Sequence, residues 1–428
     1  MHPLLPQIWK SASVRNVGKL LSANVIAQAL GILVYPVLTR LYAPEDFALL
    51  SLFASIASVA ALVATSEYQY AIVLPKEDDK AHSLVQLCLM LLLGLVAVMV
   101  LSIPFSGLIA DCFKAPELAR WWWLMPLCVL AMGLWNILNY WYIRRKVFTR
   151  VSGYQITQSV FAVSGKIGFG LLGWLHGGMI LAVVFAPLLS VFVSIGLAWK
   201  KHLRELLDVQ RSRIKEVAGE YANFPKFNLP RSLVNSVAQS LPIWLLTPKF
   251  GLEQVGQLSL ALMAAFVPLN IIARACYQVL FQRVSELVQQ RQSIRPVLRR
   301  FMLFTIGMMA VGMTVVYLIV PQLVTVLFGA EWLEAATIIR RLFPYLMLVP
   351  ICGSLCFLSD VFGKQQMAMW LETGYTVAMG VTLFLGVRYG TFLTTISLYG
   401  WLGCAYLFIQ WMWFLWLIRR YQQTLEVR

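Results

Sequence analysis

Apolar stretches about twenty residues long recur from one end of the chain to the other, and that recurrence limits its fold more than any other feature. A helix needs roughly 20 mostly apolar residues to cross the hydrocarbon of a bilayer. Such stretches run at about 20–39, 47–66, 84–106, 121–143, 151–173, 177–199, 227–247, 255–282, 301–321, 337–359, 366–387 and 392–418. Hydrophobic residues make up 60% of the 428 and charged ones 13%, with a mean hydropathy of +0.73, which leaves too little polar surface to clothe a soluble domain. The short period-2 alternation of an outer-membrane barrel is missing, and lipid offers backbone amides no partner outside a helix or a closed barrel. The chain is therefore predicted to be an all-α membrane protein of about twelve transmembrane helices. Its first apolar stretch is longer than a signal-peptide core and lacks a small-residue cleavage site, so it is expected to be retained. The seven cysteines lie in or beside apolar stretches and read as small buried hydrophobes.

Charge placement gives the orientation. Of the 35 Lys and Arg, 25 fall in the termini and one alternate set of loops, and five in the opposite loops. By the positive-inside rule this puts both termini in the cytoplasm of a multi-pass bacterial inner-membrane protein. The net charge of +16 is then a matter of topology, and no nucleic-acid partner is needed to explain it. Trp121, Trp122 and Trp123 would sit at the outer interface as anchors.

The chain also repeats itself. Residues 24–31 (NVIAQALG) match 235–242 (NSVAQSLP), and 39–52 (TRLYAPEDFALLSL) match 247–260 (TPKFGLEQVGQLSL). Six helices per copy is an even number, so both copies enter the membrane in the same direction, as parallel transporter repeats do. The expected organisation is an N-terminal six-helix lobe over 1–199, a basic cytoplasmic linker over 200–226 and a C-terminal six-helix lobe over 227–428. A cleft between such lobes opens to one side of the membrane at a time.

Polar groups inside these stretches fall on single helix faces. Asn24 and Gln28 follow helical spacing on the first helix, and Asn235 and Gln239 follow it with Arg231 on the seventh. Asn136 and Asn139 lie on the fourth, Gln155 and Lys166 on the fifth, and Asn270 and Arg274 on the eighth. For the amides, interhelical hydrogen bonding and the lining of an aqueous cavity are both open. The cations Lys166, Arg231 and Arg274 outnumber Glu372, the one acid well inside a span, so they call for water or an anionic ligand. Arg grips phosphate with a planar fork and Lys attracts it as a compact charge, which points to a phosphate-bearing cargo. Snorkelling to the interface is the competing account. Arg40, Arg340 and Arg341, at the outer ends, are candidates for an exit-side cluster or for interfacial anchors. Glu67, which ends the second helix, is a candidate gate that pairs with Arg274, and Glu372 is a candidate site for a coupling ion.

The segments TRLYAPEDFALLSLFASI, EYQYAIVLPKEDDKA and NYWYIRRKVFTR resemble the polysaccharide exporters and O-antigen flippases of the multidrug/oligosaccharidyl-lipid/polysaccharide (MOP) superfamily, and the similarity runs over most of the chain. The resemblance implies two six-helix lobes around a cationic cavity. It further implies translocation of an undecaprenyl-diphosphate-linked oligosaccharide from the cytoplasmic to the periplasmic leaflet by alternating access, driven by H+ or Na+ antiport or by membrane potential, with no other cofactor. Implied partners are the lipid-linked oligosaccharide, membrane lipids, and the polysaccharide polymerase and chain-length machinery. Where Glu67, Tyr68 and Gln69 stand, relatives often read Arg, Tyr, Glu. A second-helix arginine therefore cannot be carried over as a phosphate ligand, which leaves Arg231, Arg274 and Lys166 as the better candidates.

Two other functions compete with this one. A membrane glycosyltransferase or polymerase would carry grouped carboxylates or a sizeable loop domain for its chemistry, whereas Asp111, Glu117, Glu253, Glu331 and Glu334 are scattered and no glycine-rich phosphate loop occurs. A drug or cation extruder on the same scaffold would need buried carboxylates, against the sign of charge found here.

Overall fold

The computed structural model describes residue 31 and residues 33–174, 177–198 and 211–426. Asn24 and Gln28 lie outside these residues, as do residues 200–210 of the expected linker. Every regular element among the described residues is helical. The chain divides into two compact units, Met1–Ser240 and Leu241–Arg428.

The first unit contains α1 (Tyr35–Leu41), α2 (Pro44–Thr65), α3 (Asp78–Leu101), α4 (Met125–Arg144), α5 (Phe148–Leu171), α6 (Gly178–Ala198) and α7 (Arg211–Glu220). Helix α2 begins where Pro44 fixes the first helical residue and Asp46 Oδ2 accepts the Ala43 N–H at 3.1 Å, while Glu45 and Asp46 suit the positive end of the helix. Its 22 residues reach about 33 Å, the hydrocarbon thickness. Helices α5 and α6 meet closely because Gly178 has no side chain: a Cβ there would lie 2.7 Å from Phe169 Cβ of α5 and 2.8 Å from Tyr42 Oη, whose hydroxyl donates to Lys166 O at 2.7 Å. Of the three consecutive tryptophans expected at the interface, Trp122 instead turns inward, buried and donating to Ser102 Oγ at 2.9 Å, while Trp123 is exposed.

Helix α8 (Leu229–Gln289) crosses from one unit to the next and breaks at Gly251, where φ is 83° and ψ is 173°. A side chain at that positive φ would be strained. The break falls where the repeat aligns Ala43, between α1 and α2, so the two copies turn at the same register. The second unit continues with α9 (Arg295–Phe328), α10 (Leu333–Gly353), α11 (Gln365–Tyr389) and α12 (Phe392–Glu426). At one end of this unit Leu280, Val284 and Leu287 of α8 pack with Leu298, Phe357, Phe414 and Ile418 in a common core.

Eight helical stretches among the described residues are long and apolar enough to cross a membrane, against the twelve expected. One of them, Phe224–Gln289, holds both arms of α8. Helices α5 and α11 have 24 and 25 residues but are absent from the eight, because residues such as Gln155, Gln158 and Lys166 in α5, and Gln365, Gln366 and Glu372 in α11, lower their hydropathy.

The expected linker is in part a structured element. Its helix α7 buries Ile214 and Val217, Tyr68 donates to Ala218 O at 2.9 Å, and Lys80 pairs with Glu220 at 2.7 Å and with Glu216 at 3.5 Å. Arg213 pairs with Asp79. The hydrogen bond of Lys80 holds the Glu220 carboxyl below its ordinary range. The contact boundary at Ser240 lies beyond the expected lobe boundary at 226/227, and one reason is that Ser232, at the start of α8, hydrogen-bonds Glu67 of the first unit.

Arg144, the last residue of α4, gathers the chain between α2 and α3. Its guanidinium donates to Pro75 O at 2.6 Å, Asp78 Oδ1 at 2.8 Å, and Ile72 O and Glu77 O at 3.3 Å each, with 11% of the side chain exposed. Carbonyls turned away from helices need donors, and a guanidinium has five. Arg144→Ala should destabilise the purified protein by about 3 kcal/mol, read as a lower midpoint of thermal unfolding, and Arg144→Lys should restore only part of it because one ammonium cannot span four acceptors. An unchanged midpoint would reduce this contact to an ordinary surface pair.

Candidate functional site

The polar residues of the first unit concentrate around the end of α2. Ser66 and Glu67 both adopt left-handed backbone (φ 47° and 64°), an unusual pair for residues other than glycine, and this turn drives Glu67 inward to 1% exposure. Ser232 donates a hydrogen bond to the carboxyl, while Glu67 Oε1 is buried without a partner among the described residues. Thr65 Oγ1 and Gln69 Oε1 are in the same condition. Burial holds the Glu67 carboxyl above its ordinary range, and the Ser232 hydrogen bond only partly offsets this. Tyr70 and Tyr140 meet edge to face 4.9 Å apart, both within electrostatic reach of Glu67. Glu67 thus stands beside the α4 face that carries Asn136, Asn139 and Tyr140, each half-buried. The sequence places these residues on separate helices, and the structure gathers Glu67, Tyr70, Tyr140 and Ser232 into one group.

Close by in sequence to Ser232, the stripe Arg231, Asn235 and Gln239 is exposed along α8, with Gln239 donating to Asn235 Oδ1 at 2.6 Å. Gln155, half-buried on α5, has Oε1 enclosed with no partner among the described residues. Lys166 lies about three turns further along the same helix, half-buried. In the second unit Asn270 and Arg274 are exposed on the second arm of α8. Among the described residues no carboxylate pairs with Lys166, Arg231 or Arg274. On a helix long and apolar enough to cross a membrane, an exposed arginine thus shares one face with amides one and two turns away.

The cations at the other end are held differently. Pro321 has no N–H to give the carbonyl of Tyr317, one turn earlier in α9, and Arg340 supplies the missing donor: Nε bonds Tyr317 O at 3.1 Å and Nη2 bonds Leu318 O at 3.3 Å. Its guanidinium also covers the Tyr317 ring at 5.3 Å. Arg341 turns instead to Ser397 Oγ on α12, at 3.3 Å. Arg40 is exposed in the last turn of α1. Glu372 is half-buried on α11 within electrostatic reach of Cys356 and Tyr406, and Tyr406 stacks on Tyr375 at 4.2 Å.

Some amides are plainly structural. Gln257, which the repeat aligns with Leu49, is buried, donating to Glu331 O at 2.6 Å and accepting the Ala335 N–H at 3.1 Å, so it caps the start of α10. Sequence reasoning also missed the Arg144 knot and the α7 clamp. The clustered charges of residues 76–80 were a signal for both, but only the fold supplies their partners.

Comparison with known proteins agrees with this architecture. The succinoglycan biosynthesis transport protein ExoT of Rhizobium meliloti (strain 1021) is 22% identical over 343 residues, covering 78% of this chain and 66% of its own length, so the chain spans just under two thirds of that relative. An inward-facing multidrug resistance MATE family transporter of the MOP superfamily superposes with a TM-score of 0.73 at 16% identity, covering 93% of this chain and 96% of its own. The lipid II flippase MurJ, in an inward closed conformation, superposes with a TM-score of 0.71 at 14% identity, covering 95% and 91%. These likenesses give the fold as that of the MOP superfamily. Residues 37–337 match the polysaccharide biosynthesis protein family, and the chain, a multi-pass membrane protein with a MOP fold, belongs to that family.

Proposed function

We propose that this protein is a flippase that carries an undecaprenyl-diphosphate-linked oligosaccharide from the cytoplasmic to the periplasmic leaflet of the bacterial inner membrane by alternating access, without catalysing a reaction. The observation that carries the reading is the set of cations without carboxylate partners, Lys166, Arg231 and Arg274, on helices of a polysaccharide-biosynthesis family member. A pyrophosphate is the part of a lipid-linked sugar least able to enter hydrocarbon, and fixed cations offset its desolvation. The exposed amides Asn235, Gln239 and Asn270 suit sugar hydroxyls, since each offers a donor and an acceptor. Support for transport also comes from the relative named as a succinoglycan biosynthesis transport protein and from the fold shared with a lipid II flippase. The excess of basic loops supports cytoplasmic termini. In this reading the polymerase and chain-length machinery take the cargo onward.

The driving step is assigned to protonation of Glu67 at the gate, with Glu372 as the candidate site for a coupling ion, H+ or Na+. Glu67 has the environment such a role needs: a carboxyl that is buried, bonded by one hydroxyl and free of a cation in its hydrogen-bond set.

Three outcomes test this. In liposomes, translocation of a labelled undecaprenyl-diphosphate oligosaccharide should fall at least about ten-fold in each of Lys166→Ala, Arg231→Ala and Arg274→Ala, the loss of one charged contact of about 1.5–3 kcal/mol, with membrane levels unchanged. Wild-type rates in all three, or preference for a cationic dye over the lipid pyrophosphate, would reject the cargo. Because the Glu67 carboxyl is raised above its ordinary value of 4.5, its protonated form favours the folded state. That stability is fully present below 4.5 and is lost as pH rises through the raised value. Glu67→Gln should abolish this slope in thermal unfolding and flatten the pH profile of translocation over the same window. A slope that persists in the variant would assign the titration elsewhere.

A further inference from the structure

We propose that the end of the second unit where α8, α9 and α12 converge is a binding site for the phosphate head group of an anionic phospholipid, separate from any path taken by cargo. A groove of about 500 Å³ runs between the start of α9 and the end of α12. Arg295, Arg299 and Arg419 line its rim, and Leu298, Met302, Leu415 and Ile418 form its wall. A second recess, of about 800 Å³, adds Arg291 and Arg420 around Tyr421. Among the described residues none of these five arginines is in an ion pair. Arg420 rests over the Trp416 ring at 5.3 Å.

The arginines stand on a fixed frame. Ser293 Oγ donates to Gln422 Oε1 at 3.0 Å, Tyr421 donates to Gln292 O at 3.3 Å, and Ile294, Leu298, Leu417 and Ile418 are buried beneath. Holding so many like charges together without an anion costs energy, and the first turn of the 34-residue α9 adds its positive end to the same place. A phosphate between the guanidinium forks removes that cost.

The surroundings favour a lipid over free phosphate. From the groove onward α9 exposes Leu303 and Phe304, and α12 exposes Met412 and Trp416, so the apolar wall runs directly into surface suited to acyl chains. The groove also lies on the side assigned to the cytoplasm by its excess of basic residues, where anionic head groups gather around basic pockets between helices.

The test uses the full chain in phosphatidylcholine nanodiscs, titrated with phosphatidylglycerol and read by native mass spectrometry. Saturable binding is expected, weakened about five-fold for each arginine removed, hence about 25-fold in Arg295→Gln/Arg419→Gln, and largely kept in Arg295→Lys/Arg419→Lys. Inorganic phosphate should not compete. Unchanged binding in the Gln pair, or displacement by inorganic phosphate, overturns the proposal. If the Gln pair fails to fold in phosphatidylcholine, Arg299→Gln alone decides: about five-fold weaker binding supports the site and wild-type binding rejects it.

Discussion

A polar group carried into hydrocarbon must find its partner inside the protein, and almost every feature of this chain answers that demand. Helices answer it for the backbone along their length. Their ends do not, so the joints matter more here than the spans. At the start of α2 a carboxylate turns back to a free N–H, with Asp46 serving Ala43. In α9 a proline removes a donor and a side chain from α10 replaces it, Arg340 bonding the Tyr317 carbonyl. Between α2 and α3 the chain makes only a short 3-10 turn over Tyr68–Val73 before an irregular stretch, and Arg144 gathers carbonyls from both.

The same demand separates two kinds of arginine. Arg144, Arg340 and Arg341 are spent on oxygens that belong to the fold. Arg231 and Arg274 lie exposed beside amides, and no carboxylate pairs with them among the described residues. Composition alone cannot tell these classes apart, since both are arginines in or beside apolar stretches. What distinguishes them is whether a neighbouring segment has an oxygen to spare, and for Arg340 a proline one turn downstream of that oxygen is the local sign.

This sets how much of the protein was legible beforehand. The all-helical class followed from the spacing of apolar stretches, and the internal repeat from rare polar residues in matching order. Its structural counterpart is clear at one register: Gly251 breaks α8 where Ala43 separates α1 from α2. Glu67 was legible as a polar residue at a helix end, but not its burial, because two consecutive left-handed residues without glycine leave no compositional trace. Trp122 reads as an anchor in the sequence and turns inward in the fold, because Ser102 offers its indole N–H an acceptor. The α7 clamp was hidden for a different reason. Its charges read as an ordinary basic linker until α3 brings Asp79 and Lys80 beside it.

Glu67 shows what a buried, half-satisfied carboxyl costs a fold and what it offers the gating role proposed for it. A glutamine there would keep the Ser232 contact and remove the cost of a buried charge, and stability alone would favour it. The carboxylate, half satisfied and pressed upward in its proton affinity, instead gives the end of α2 two states of different charge within reach of Tyr70 and Tyr140. A group in that condition responds to any cation that approaches, whether a proton or a guanidinium, by the same electrostatic term that makes it costly at rest. The left-handed turn at Ser66 and Glu67 holds the acid in this position, so the strain of that turn and the reactivity of the acid have one structural origin.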